Sequence, residues 1–279
     1  MSRRYDLHTH SVHSDGTTTP TAIAREAAAL GLAGFALTDH DTTDGWAEGR
    51  SAAAESGIEF LPGMEITTRD AGRSTHLLAY GARPDAPELA GALRRVRDSR
   101  VGRAQEMVRR LGADFDIRWH SVVEDEAAGR TVGRPHIADA LVQAGYFTDR
   151  SEAFSRVLGP GSPYYVDTYA IDTAEAIRMV RDAGGVPVLA HPAAGRHSRS
   201  VDPAALERFV RAGLWGIELD HPENRSEWLP GLARLAAVHG LRVTGASDYH
   251  GAGKPNLLGE RTSPEAIWEA VRAIAAIPR

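Results

Sequence analysis

Histidines recur at or just beyond the ends of strand-like runs in this chain, and carboxylates accompany them. The first group is Asp6-Leu7-His8-Thr9-His10, followed by Asp15 in Ser14-Asp15-Gly16. Side chains two residues apart on an extended chain point the same way, so His8 and His10 can grip one cation. Next come Thr38-Asp39-His40-Asp41, then Glu65 in Pro62-Gly63-Met64-Glu65, then His76. Further along lie His191 in Leu189-Ala190-His191-Pro192, Glu218 with His221, and Asp248-Tyr249-His250-Gly251.

A lone histidine at a strand end is most often structural. Here the placement recurs on strand after strand, with residue types that bind divalent ions through nitrogen and oxygen. Gathered in one pocket without cations, Asp15, Glu65 and Asp248 would be uncompensated buried charges, which is unfavourable. The pattern predicts a multinuclear metal site. His13, His120, His197 and His239 lack this context. His239 precedes Gly240 at a predicted helix C-terminus, where a cationic ring is favourable.

The elements that must position these residues alternate. Strand-like runs cover 4–8, 35–38, 58–61, 76–80, 186–190, 216–219 and 242–246. Helical runs cover 21–30, 46–56, 173–183, 203–212, 227–239 and 264–277, the first opened by Thr19-Pro20 and closed by Gly31. This rhythm implies a mostly parallel sheet of seven strands whose C-terminal ends share one face. It stops near residue 84 and resumes after Gly159-Pro160-Gly161-Ser162-Pro163. Between lie a long arginine-rich helix, 89–111, and helical segments at 121–128 and 136–144. The expected division is a barrel of 1–97 and 166–279 with a helical insertion, 98–165, between the fourth and fifth strands.

The 279 residues are 42% hydrophobic and 25% charged, ordinary globular usage that argues against disorder or coiled coil. The absence of cysteine removes disulfides, thiolate zinc sites and cysteine nucleophiles, so any metal must sit on His, Asp and Glu. A net charge of −5 argues against broad binding to duplex DNA but leaves room for a small anion on a local basic patch. Lys254 is the only lysine; every other basic residue is arginine. No apolar run reaches membrane-spanning length, and the first residues show no signal-peptide pattern. The expectation is a cytoplasmic α/β protein without an evident obligate protein partner.

The ordered set Asp6-Leu7-His8-Thr9-His10-Ser11, Ser14-Asp15-Gly16, Thr38-Asp39-His40-Asp41, Pro62-Gly63-Met64-Glu65, Ala190-His191-Pro192 and Ser247-Asp248-Tyr249-His250-Gly251 resembles the motifs of the PHP (polymerase and histidinol phosphatase) family. The resemblance implies a distorted seven-stranded (β/α)7 barrel with a trinuclear metal site at its C-terminal face. It implies His8, His10, Glu65 and Asp248 around a first ion, and Glu65, His76 and His191 around a second. Asp15, His40 and His250 would hold a third. Two or three divalent ions are expected, Mn²⁺ favoured over Fe²⁺ or Zn²⁺. Asp39 and Asp41 are expected to orient imidazoles.

Gly133-Arg134-Pro135-His136 and Tyr164-Tyr165-Val166 resemble the subgroup of nucleoside 3′,5′-bisphosphate phosphatases and 5′→3′ exoribonucleases. That implies phosphate binding by Arg134 and His136, from an insertion that overhangs the metals. Lysines common in relatives before the Tyr-Tyr-Val-like segment are absent here. The implied activity is metal-dependent hydrolysis of the 3′-phosphate of nucleoside 3′,5′-bisphosphates, with short 5′-phosphorylated single-stranded RNA as a further substrate and His221 as a candidate general acid. Alternatives are a histidinol-phosphate phosphatase and a non-catalytic metal-binding module. A polymerase proofreading module is disfavoured because no polymerase region follows.

Overall fold

A computed structural model describes residues 3–123, 132–194 and 200–275. In chain order these form β1 Arg4–Thr9, α1 Pro20–Ala29, β2 Gly34–Leu37, α2 Trp46–Glu55, β3 Glu59–Asp70, β4 Arg73–Tyr80, α3 Pro87–Leu111, α4 Trp119–Val122, α5 Arg134–Gln143 and α6 Arg150–Ala153, the last continuing into a π-helical turn, Phe154–Leu158. There follow β5 Ile171–Asp172, α7 Thr173–Asp182, β6 Val186–Leu189, α8 Pro203–Ala212, β7 Gly216–Asp220, α9 Leu229–Val238, β8 Arg242–Gly245, a 3₁₀ turn Gly251–Gly253, β9 Ser263–Pro264 and α10 Glu265–Ile274. Most of the expected 121–128 segment, the last residues of the 264–277 helix and His197 lie outside the described residues.

The chain divides into two compact units, Met1–Leu93 with Ala170–Arg279, and Arg94–Tyr169. In the first unit one sheet runs β8-β7-β6-β4-β3-β2-β1-β9, with β5 beside β3. Pairs β1/β2, β2/β3, β6/β7 and β7/β8 are parallel. Tyr249, just past β8, bridges back to Thr9 on β1, and His10 N donates to Tyr249 O at 2.8 Å. The sheet therefore comes close to closing into a barrel.

Two features add to the mostly parallel sheet of seven strands. The described residues form nine strands, because β5 and β9 add two-residue pairings. More consequentially, β4 is antiparallel to both its neighbours, β3 and β6. The cause is local. Ala71 and Gly72 both take positive φ, 46° and 80°, the geometry of a two-residue hairpin, which leaves no chain for a crossover helix. Because β4 runs the other way, its beginning lies where the parallel strands end. His76, near that beginning, joins residues from the C-terminal ends of the others.

The barrel core is built from alternate strand residues, among them Leu7, Ala36, Leu61, Leu78 and Val188, all fully buried. Tyr5 stacks on Trp268 of α10 at 4.3 Å, sealing the end opposite the histidines. The α1 boundary follows its sequence signal: Thr19 Oγ1 accepts from Ala22 N, and Pro20 begins the helix. The second unit has its own core, including Met107, Leu111, Ile137, Leu141, Val157 and Leu158. It begins and ends four residues outside the expected 98–165. Among the described residues no helix is long and apolar enough to cross a membrane.

Candidate metal centre

His8 and His10 emerge side by side from β1, both fully buried, with Nε2 atoms 3.1 Å apart. The following turn brings Asp15 back toward them. Gly16 is required there, since a Cβ would lie 2.4 Å from the carbonyl oxygen of His10. His40 follows β2 and bridges to Glu65 on β3. His191 follows β6, and Asp248 and His250 follow β8. Asp248 and His191 both adopt positive φ, 54° and 27°, at positions where L-residues are strained.

Glu65 is the hub. Its Oε1 lies 2.7 Å from His76 Nδ1 and 2.9 Å from His191 Nε2. Its Oε2 lies 3.1 Å from His10 Nε2 and 3.3 Å from both His8 Nε2 and His40 Nδ1. Asp248 Oδ1 faces the same two rings from the other side, 3.4 Å from His8 and 3.3 Å from His10. Three overlapping donor sets result, each compact enough for one ion: His8, His10, Glu65 and Asp248; His10, Asp15, His40 and His250; and His40, Glu65 and His76. His191 reaches the cluster through Glu65. A fourth set, His8, Glu218 and His221, adjoins them.

The electrostatics call for positive charge. Burial alone would raise the Glu65 carboxyl, but the rings of His76, His40 and His8 hold it well below the carboxylate range. Asp15, opposed by burial, is pulled well down by His250 and His40, and Asp248 by Lys254 and His8. Burial disfavours a charged His8, yet Asp248, Glu218 and Glu65 hold it well above its usual value. His10 rises to about 9 against burial, through Asp248 and Glu65. His250 goes down, through burial and the neighbouring His10 and Lys254.

Several buried metal-donor atoms make no hydrogen bond among the described residues: Asp248 Oδ1, His250 Nε2 and His76 Nδ1. Buried polar atoms normally find partners. A set of nitrogens and carboxylate oxygens aimed at common points is what divalent ions satisfy, so the residues present fit a metal.

Further contacts fix the rings. Glu218 on β7 lies 3.2 Å from His8 Nδ1 and accepts from His191 N at 2.9 Å, which directs His8 Nε2 inward. His250 Nδ1 is 2.8 Å from the Asp248 carbonyl, leaving Nε2 for the cluster. Asp39 and Asp41 accept from neighbouring loops. Asp39 accepts from Ser11 N, Ser11 Oγ and Ser14 Oγ at 2.7 Å each. Asp41 accepts from Thr67 N and Oγ1 at 2.7 Å. Both shape the loops around the ligands. Asp6 likewise accepts from Ser247 N and Oγ, Gly259 N and His8 N, joining β1 to the β8 loop; burial raises it to about 6 despite these donors.

The PHP domain model matches residues 6–114. A 3′,5′-nucleoside bisphosphate phosphatase of Chromobacterium violaceum is 35% identical over 256 residues, 89% of this chain and 88% of that one. The chain belongs to the PHP family. A 5′-3′ exoribonuclease of Haemophilus influenzae is 32% identical over 90% of this chain and 91% of its own. A solved chain from Bifidobacterium adolescentis, assigned as a metal-dependent phosphoesterase, superposes with a TM-score of 0.95 at 41% identity, covering 98% of this chain and 96% of that one.

In this PHP chain the second unit carries the remaining residues singled out by sequence. Arg134 begins α5. Its guanidinium lies over the rings of Phe154 and Tyr165, 5.2 and 5.6 Å from their centroids, and Nη1 donates to Leu158 O. His136 Nδ1 accepts from Gly133 N at 3.1 Å, so that nitrogen caps α5. Arg100 and Arg103 on α3 went unremarked in an arginine-rich helix. Both are 8% exposed, and Arg103 Nε makes no hydrogen bond among the described residues. Burial, with the charges of Arg100 and Arg134, pushes Arg103 down to about 9. Three arginines this close, two of them desolvated, favour an anion.

Proposed function

We propose that this chain is a metal-dependent phosphatase that removes the 3′-phosphate from nucleoside 3′,5′-bisphosphates. The observation that carries the reading is the convergence of His8, His10, Glu65 and Asp248, with His40, His76, His191, Asp15 and His250 around them. Those nine residues would hold two or three divalent ions, Mn²⁺ by preference. Bound there, the ions supply an activated water and neutralise charge on the phosphoryl oxygens.

The chain's own residues supply the rest. Glu218 holds His8 in the tautomer that ligates through Nε2. His221 Nδ1 accepts from Glu223 N, which puts the ring proton on Nε2, 3.5 Å from Asp248 Oδ2. The hydrogen held there is placed to donate a hydrogen bond to the leaving oxygen. Arg134, its guanidinium over the Phe154 and Tyr165 rings, suits a phosphate, with His136 as a second contact. Arg100 and Arg103 beside it add charge that suits the second phosphate of a bisphosphate. A substrate with a single phosphate, such as histidinol phosphate, leaves that second cluster unused. The exoribonuclease relative favours a second activity, trimming short 5′-phosphorylated RNA.

The test is a comparison of turnover with Mn²⁺ on a nucleoside 3′,5′-bisphosphate, histidinol phosphate and a 5′-phosphorylated oligoribonucleotide. The bisphosphate should be hydrolysed with the highest kcat/KM. A metal-loaded protein inert on all three would leave the binding-module reading in place.

A further inference from the structure

Lys254 stands at the metal centre. Its Nζ lies 2.5 Å from Asp248 Oδ2 and 3.4 Å from Glu223 Oε1. Asp248 thereby divides its two oxygens: Oδ1 faces the rings of His8 and His10, while Oδ2 faces the ammonium. Nζ is thus only one carboxylate's width from the donor cluster. Asp248 is 1% exposed in its side chain and Lys254 28%, so the lysine connects the buried cluster to solvent.

The backbone delivers it there by construction. After His250 the chain makes a 3₁₀ turn over Gly251–Gly253 and leaves Lys254 extended, with φ −140° and ψ 158°. Gly251 has φ 62°, and a Cβ on it would lie 2.3 Å from Thr17 Oγ1. That hydroxyl accepts from Ala252 N and donates to His250 O, pinning the turn. Every other basic residue in the chain is arginine. A lysine here is a compact charge on a flexible stem that can swing between acceptors, which a planar guanidinium does not do as readily.

We propose that Lys254 is a substrate-contacting residue that donates a hydrogen bond to a non-bridging oxygen of the scissile phosphate. Without phosphate it rests on Asp248 and Glu223. Divalent ions held by the cluster would share the carboxylate's charge and loosen its hold on the ammonium, and a phosphate dianion would then be the stronger acceptor for Nζ. The inference rests on the phosphate-ester reading above.

The uniqueness of the lysine gives a direct readout. Protein grown with [ε-¹³C]lysine carries one labelled side chain. In the Zn²⁺-loaded protein, titration with inorganic phosphate should move that resonance saturably, and Mn²⁺ in place of Zn²⁺ should broaden it. Lys254→Met should keep its full metal content and lose about 10–10²-fold in kcat/KM, the range for one charge-assisted contact, with Lys254→Arg recovering part. A resonance unmoved by phosphate while calorimetry records phosphate binding overturns the inference and spares the functional reading. Loss of metal in Lys254→Met also overturns it, because Lys254 would then only brace Asp248. A Zn²⁺-loaded protein that binds no phosphate at all removes both.

Discussion

His8 and His10 meet Nε2 to Nε2 at 3.1 Å, with Glu65 Oε2 and Asp248 Oδ1 on either side. Two imidazole lone pairs at that separation repel unless a proton or a metal ion lies between them and the carboxylates. In the metal-free chain protons serve, and the raised values of both rings express this.

That competition sets a pH dependence. His10 keeps its proton up to about pH 9 in the absence of metal, and a divalent ion must displace it. Apparent Mn²⁺ affinity should therefore rise with pH from 6 towards 9, with net proton release near neutrality. Calorimetry in buffers of different ionisation enthalpy measures the release directly. Affinity independent of pH across this range contradicts the assignment of His10.

Glu65 touches five imidazoles through its two oxygens, so one change there should reach more than one ion. Glu65→Gln is expected to lose at least two ions per chain and nearly all activity. Metal analysis of the purified variant decides it; full occupancy would refute the shared role.

Glu218 tests the orienting contacts separately. Glu218→Gln keeps the shape but weakens the hold on His8 Nδ1 and on His191 N. Metal affinity should fall roughly 10–100-fold, as is usual when the partner of a ligating histidine is removed. An unchanged affinity by competition with a chelator means Glu218 has no part in tuning the site.

Much of the cluster was legible because β-strand periodicity and strand-end placement are local signals. His8 and His10 share a face whatever the tertiary fold, and repetition on successive strands pointed to one bowl. The reversal of β4 has no comparable mark: runs of strand-like residues carry no direction, and it is the positive φ of Ala71 and Gly72 that turns β3 back on itself into β4. The loop contacts of Asp39 and Asp41 are illegible for another reason: their partners Ser11, Ser14 and Thr67 are distant in sequence and only the tertiary structure supplies them. Arg100 and Arg103 were invisible because burial, which makes them informative, carries no mark in an arginine-rich helix.

Arg134 separates recognition from metal binding. Arg134→Ala should leave metal content intact and lower kcat/KM by ~10²–10³-fold, the loss expected of a charged clamp on phosphate. Steady-state kinetics alongside metal analysis checks both halves. Unchanged kinetics would remove Arg134 from substrate recognition.

The central claim is that imidazoles and carboxylates distant in sequence hold divalent ions at common points. Anomalous diffraction from crystals grown with Mn²⁺ tests it most directly. The account predicts manganese peaks among His8, His10, Glu65 and Asp248, with further peaks toward His76 and His191 and toward Asp15, His40 and His250. A map at full manganese saturation with no anomalous peak within bonding distance of these side chains would contradict it.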